Sequence, residues 1–81
     1  MTEAIRRIIG EEGRLAVAVA SLEDNTNLYD AGLTSHASVN LMLALEDAFD
    51  IEFPDEMLKR SVFESIASID GALRRLHQEA A

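Results

Sequence analysis

Apolar residues recur at helical spacing through most of this chain, and strand-like alternation is scarce. Ile5, Ile8 and Ile9 mark a first helix that Thr2 can cap. Gly10 and Gly13 each weaken that helix by roughly 1 kcal/mol relative to alanine, so they leave its end open. The run Leu15 to Leu22 alternates briefly, but its alanines favour continued helix over strand. Asp24 to Gly32 reads as a long loop. Asp24-Asn25-Thr26-Asn27 is turn-prone, Gly32 supplies backbone freedom, and Leu28 and Leu33 are apolar enough to pin the loop to a core.

The strongest helix starts near Thr34 or Ser35, either of which can cap it, and ends near Phe49. At about 100° per residue, Ser38, Leu41, Met42, Leu45 and Phe49 fall on one side, whereas Val39 and Leu43 are predicted to face outward. Pro54, the sole proline, suits the first turn of a short helix, with Asp55 and Glu56 at its positive end. Ser65 can cap a final helix with Ile66, Ile69, Leu73 and Leu76 as its apolar stripe. Arg74 and Arg75 lie toward its C-terminus, where the helix dipole favours cations. The expected fold is all-α: three longer helices, one short helix and a long first loop. With 81 residues, no repeat and no linker-like stretch, residues 1–81 are expected to form one domain.

Composition narrows the chemistry. There is no cysteine, so disulfides, thiolate metal sites and a cysteine nucleophile are excluded. The N-terminus lacks the apolar run of a signal peptide, and no stretch approaches a membrane span, which makes a soluble cytoplasmic protein the expectation. Seven Lys and Arg stand against fifteen Asp and Glu. No Lys or Arg occurs between Arg14 and Lys59, an interval holding Glu23, Asp24, Asp30, Glu46, Asp47, Asp50, Glu52, Asp55 and Glu56. Such a surface disfavours nucleic acid and anionic lipid and favours proteins with basic docking patches.

Two segments carry the functional signal. Asp30-Ala31-Gly32-Leu33-Thr34-Ser35-His36 leads into the strongest helix, and Phe49-Asp50-Ile51-Glu52-Phe53-Pro54 follows it. Together they resemble the acyl and peptidyl carrier protein family, whose signature is a Gly-x-Asp-Ser-Leu turn opening an amphipathic helix, then an acidic Phe-x-Ile/Val-x-Ile/Phe-Pro segment. The match runs from Thr26 to about Leu76.

The resemblance implies a small four-helix bundle that is not itself an enzyme. It implies 4'-phosphopantetheine, donated by coenzyme A, attached to Ser35 and holding acyl or aminoacyl groups as thioesters. Implied partners are a phosphopantetheinyl transferase, a charging ligase or transferase, and downstream acceptor enzymes. Positions matching family contacts are Thr34, His36, Val39, Asn40, Leu43, Glu46 and Asp47. Taken alone, Ser35 would read as a plain N-cap; the surrounding pattern reverses that reading.

Three departures bear on the cargo. The usual Asp-Ser-Leu is Thr34-Ser35-His36 here, and helix positions often acidic in fatty-acid carriers are Ala37 and Asn40. The front of the helix has therefore lost negative charge, which weakens steering toward basic patches on fatty-acid enzymes. The chain is also similar to bacterial carriers charged with amino acids by ligases related to class II aminoacyl-tRNA synthetases. An amino acid cargo from a dedicated ligase is therefore expected, ahead of an ordinary carrier for fatty-acid or polyketide-type synthesis.

Rival classes explain less. Adjacent helical residues diverge by about 100°, so Ser35 and His36 do not face each other, and no Gly-x-Ser-x-Gly elbow accompanies them. The other histidine, His77, falls in the last helix. Neither Asp24 to Ser35 nor Asp47 to Leu58 supplies EF-hand ligand spacing, and no metal is expected. An unmodified helical interaction module would account for the acidic face but not for the Ser35 turn.

Overall fold

The first helix cannot run on unchanged through its two glycines. The computed structural model, which describes residues 2–13, 15 and 17–80, shows helix α1 over Thr2–Ile8 passing into a π-helical turn, Ile9–Gly13. The wider turn keeps Ile5, Ile8 and Ile9 buried together. A Cβ at Gly10 would stand 3.3 Å from Val19 Cγ2, and one at Gly13 would stand 3.3 Å from Ile9 Cγ2. Thr2 is itself helical; the residue before it lies outside the described residues.

The helix expected over Leu15 to Leu22 does not form. Among the described residues of that run only Val19–Ser21 is helical, as a single 3₁₀ turn. Ala18 and Ala20 are exposed, while Leu15, Val19 and Leu22 pack on the core without a continuous helix. Its carbonyls are met from elsewhere: Arg6 Nη1 donates to the Leu22 carbonyl at 2.8 Å and to that of Val19 at 3.4 Å, while Nη2 reaches Asp24 Oδ1 at 2.9 Å. Tertiary contacts override the helix propensity of alanine.

The loop that follows is pinned as expected, with Leu28 and Leu33 both buried. Leu28 N–H donates to the Glu64 carbonyl at 2.7 Å, and Ala67 N–H donates to the Asp24 carbonyl at 2.9 Å, tying the loop to the start of the last helix. Asn27 Oδ1 accepts from the Tyr29 and Asp30 N–H groups, an Asx turn. Gly32 has φ 116°, a conformation that L side chains rarely adopt.

Helix α2 spans Ser35–Phe49. Its buried face is centred on Ala37, Leu41 and Leu45, about half a quadrant round from the expected centre. Ser38, Met42 and Phe49 are only half-buried, because the Ser38–Met42 edge lines a groove instead of meeting another helix. Asp50 ends α2 in the left-handed conformation, φ 52° and ψ 52°. Its N–H and that of Ile51 both bond to the Glu46 carbonyl.

The short helix is realised as two 3₁₀ turns, Asp55–Met57 and Arg60–Phe63, with Pro54 immediately before the first. Phe53 and Phe63 meet edge to face, with ring centroids 5.4 Å apart. Helix α3 then spans Ile66–Ala80 and buries Ile66, Ile69, Leu73 and Leu76 as its pattern predicts. Ser65 Oγ accepts from Ser68 N–H at 3.1 Å, which is the expected cap. Because α3 continues to Ala80, Arg74 stands inside the helix and pairs with Asp70 at 2.9 Å instead of capping its end. The buried side chains of all three helices form one apolar cluster. Among the described residues no helix is long and apolar enough to cross a membrane.

Candidate functional site

Ser35 is exposed and is the first residue of α2. Thr34 is the N-cap: its extended backbone (φ −91°, ψ 164°) lets Oγ1 accept from Ala37 N–H at 3.0 Å. Leu33, buried, anchors the turn from the other side, and its N–H donates to the Leu28 carbonyl at 3.0 Å. Gly32 makes the reversal between them possible. The sequence thus folds locally so that one hydroxyl caps the helix and the next projects from its start. Ser38 Oγ donates to the Ser35 carbonyl at 2.7 Å. No acidic residue occupies the first turn of α2, so nothing there opposes the helix dipole's attraction for an anion.

A groove of about 360 Å³ opens beside Ser35. Ser38, Val39 and Met42 line it from α2; Leu58, Lys59 and Arg60 line it from the segment after Pro54. Tyr29 and Phe63 complete the lining. The Arg60 guanidinium stacks on Tyr29, with Cζ 3.9 Å from the ring centroid.

The expected contact residues gather on one side of α2. His36, Val39, Leu43 and Asp47 are exposed along it, Asn40 is half-buried among them, and Thr34 is exposed at its start. Val39 and Leu43 are 51% and 53% exposed, large values for apolar side chains and in agreement with their predicted orientation. Glu46 stands apart. Its Oε2 accepts from Phe53 N–H at 2.8 Å, so this carboxylate fastens the Phe-Asp-Ile-Glu-Phe-Pro segment to α2. Sequence reasoning missed Tyr29, Leu58, Lys59 and Arg60 as members of the site. The available signal was the end of the cation-free interval at Lys59, just past the acidic segment.

These residues fit a phosphopantetheine arm. An exposed hydroxyl stands at a helix start with free N–H groups, beside a mostly apolar groove bearing two cations. Comparison with known proteins agrees. The family model described as phosphopantetheine attachment site matches residues 3–71. An aminoacyl carrier protein from Agrobacterium fabrum is 47% identical over 74 residues, covering 91% of this chain and 89% of that protein. A carrier protein from Agrobacterium tumefaciens, solved with an engineered Bradyrhizobium japonicum glycine:[carrier protein] ligase and AMP, superposes with a TM-score of 0.89. It is 47% identical, over 91% of this chain and 99% of that one. The crystal structure of the Bradyrhizobium japonicum ligase with glycylated carrier protein gives a TM-score of 0.76 at 31% identity, over 88% of this chain and 95% of that one. With Ser35 free at the helix start and the family match running through both signature segments, the chain belongs to the phosphopantetheine-attachment family of carrier proteins, and 4'-phosphopantetheine is its prosthetic group.

Proposed function

We propose that Ser35 bears the arm and that the holo protein carries an amino acid as a thioester, loaded by a dedicated amino acid:carrier protein ligase. The supporting observation is the division between Thr34 and Ser35: the first caps α2, and the second presents a hydroxyl at the helix start. The arm supplies a thiol that this cysteine-free chain lacks. The chain's own residues orient the attachment point, and the α2 N-terminus favours the phosphodiester's negative charge.

The face made by Thr34, His36, Val39, Asn40 and Leu43 is read as the ligase contact, with Asp47 beyond it and Glu46 serving mainly to hold the following segment. Docking there rests on two apolar side chains and the arm, with little charge at the front of the helix. That arrangement suits a dedicated partner better than enzymes with basic fatty-acid-carrier sites. The likeness to an aminoacyl carrier protein, and to the partner of a glycine ligase, supports the same cargo class. Residues 1–81 act on this reading as one non-catalytic domain in the cytoplasm, served by a phosphopantetheinyl transferase and by downstream acceptor enzymes.

Coexpression with a phosphopantetheinyl transferase should raise the intact mass by that of the arm, and Ser35→Ala should abolish the gain while keeping the helical circular dichroism. Holo protein offered ATP, glycine or another small amino acid and a glycine:[carrier protein] ligase should become aminoacylated. Continued modification of Ser35→Ala would refute the attachment site. Efficient malonyl loading from malonyl-CoA by malonyl transferase, with no aminoacylation by any such ligase, would show an ordinary acyl carrier instead.

A further inference from the structure

The acid-rich chain places two cations on the groove that opens beside its attachment point. Lys59 and Arg60 both line that groove with Ser35, and they are the first Lys or Arg after Arg14. Both are exposed, and among the described residues neither has a carboxylate within ion-pair distance, although Asp55 and Glu56 lie just before them. Arg60 is nevertheless held in place by stacking its flat face on Tyr29, with Cζ 3.9 Å from the ring centroid. Stacking engages only the face of a guanidinium. Its N–H donors lie in the plane and stay available to a planar or tetrahedral oxyanion. Lys59 adds a mobile point charge next to this oriented one.

We infer that Lys59 and Arg60 form the second half of a cradle for the arm's phosphodiester, facing the N–H groups at the start of α2 across the groove. This rests on the Ser35 reading. Two weak anion attractors on opposite sides of a groove restrict a tethered phosphate more than the helix terminus alone. The pair thereby biases the base of the arm toward the groove and away from free solvent. Because both side chains are exposed, the preference is modest, about two- to five-fold in the cradled over the free population. It weakens as salt screens the charges. The same pair repels the ammonium of an α-amino acid, so a loaded cargo is kept off this wall while the phosphate is kept on it.

The test uses full-length ¹⁵N-labelled protein converted to the holo form, with conversion checked by intact mass. On going from apo to holo, the amides of Lys59 and Arg60 and the Arg60 Nε–H signal should shift together with those of His36. The shifts at 59 and 60 should fade at about 1 M salt, where screening extends only about 3 Å. In Lys59→Gln/Arg60→Gln the ³¹P line of the arm should narrow toward that of a free tether, whereas Arg7→Gln/Arg75→Gln, with the same net charge, should leave it unchanged. Full mass gain with unmoved 59 and 60 signals overturns the cradle and leaves the Ser35 assignment standing. No mass gain overturns the assignment, and the cradle with it. The apo-to-holo comparison needs no variant, so a poorly folded double substitution does not shelter the inference.

Discussion

Replacing Arg6 by Met should loosen the long first loop in a measurable way. Met matches the length of the aliphatic stem but donates nothing. In the native protein the guanidinium gives a charged hydrogen bond to the Leu22 carbonyl at 2.8 Å and an ion pair to Asp24 at 2.9 Å. The third contact, to Val19 at 3.4 Å, is too long to add much. A hydrogen bond from a charged donor is worth about 1.5–3 kcal/mol. The Arg6 side chain is 29% exposed, so water can reach part of what it leaves, and the lower half of that range applies. Asp24 is 60% exposed, which puts the ion pair at about 0.2–1 kcal/mol. Arg6→Met should therefore lose about 1.7–3.3 kcal/mol, and Asp24→Asn should lose under about 1 kcal/mol. Urea unfolding of the apo protein measures both, as a lower midpoint with an unchanged slope. If Arg6→Met stays within about 0.5 kcal/mol of wild type, or costs no more than Asp24→Asn, the backbone half of the clasp contributes nothing.

Leu43→Asp should weaken ligase binding while changing stability by under about 0.5 kcal/mol, since the side chain is 53% exposed; a loss of several kcal/mol by denaturant titration would mean that it belongs to the core. Asp50→Gly should stabilise by about 1 kcal/mol, because it relieves a left-handed conformation and removes an anion from the negative end of α2; a lower melting temperature would contradict this. Ser65→Ala should cost about 1 kcal/mol through loss of the cap on α3, and an unchanged urea midpoint would show that the bond to Ser68 N–H is not a working cap.

What the sequence made legible follows local chemistry. Helix α2 could be read because its cap, its stripe and its outward Val39 and Leu43 lie within one short segment. Helix α3 could be read for the same reason, from Ser65 and from Ile66, Ile69, Leu73 and Leu76 at alternating steps of three and four. The segment from Leu15 to Leu22 could not, because its conformation is decided by Arg6, which is remote in the chain. The rotation of the α2 face toward Ala37 was hidden as well: alanine is neutral in a pattern, and only packing shows which side it takes. The place of Ser35 at the start of α2 was legible from its turn, but the groove beside it was not. That groove exists only where Tyr29, Met42 and Arg60 meet, and no periodicity reports a meeting of three distant segments.

With the arm assigned to Ser35 as proposed, neighbouring Thr34 and Ser35 separate architecture from chemistry at the resolution of one residue. If the modified hydroxyl were also the one that starts the helix, each attachment would remove a supporting bond, and unmodified and modified chains would differ in shape. Here the supporting bond is made by Thr34 Oγ1 with Ala37 N–H and does not involve the Ser35 hydroxyl. On the proposed assignment of the arm to Ser35, attachment therefore needs no rearrangement of the helix start. The scaffold would then be the same before and after attachment, and a partner would read the state of the arm and not a change in the fold.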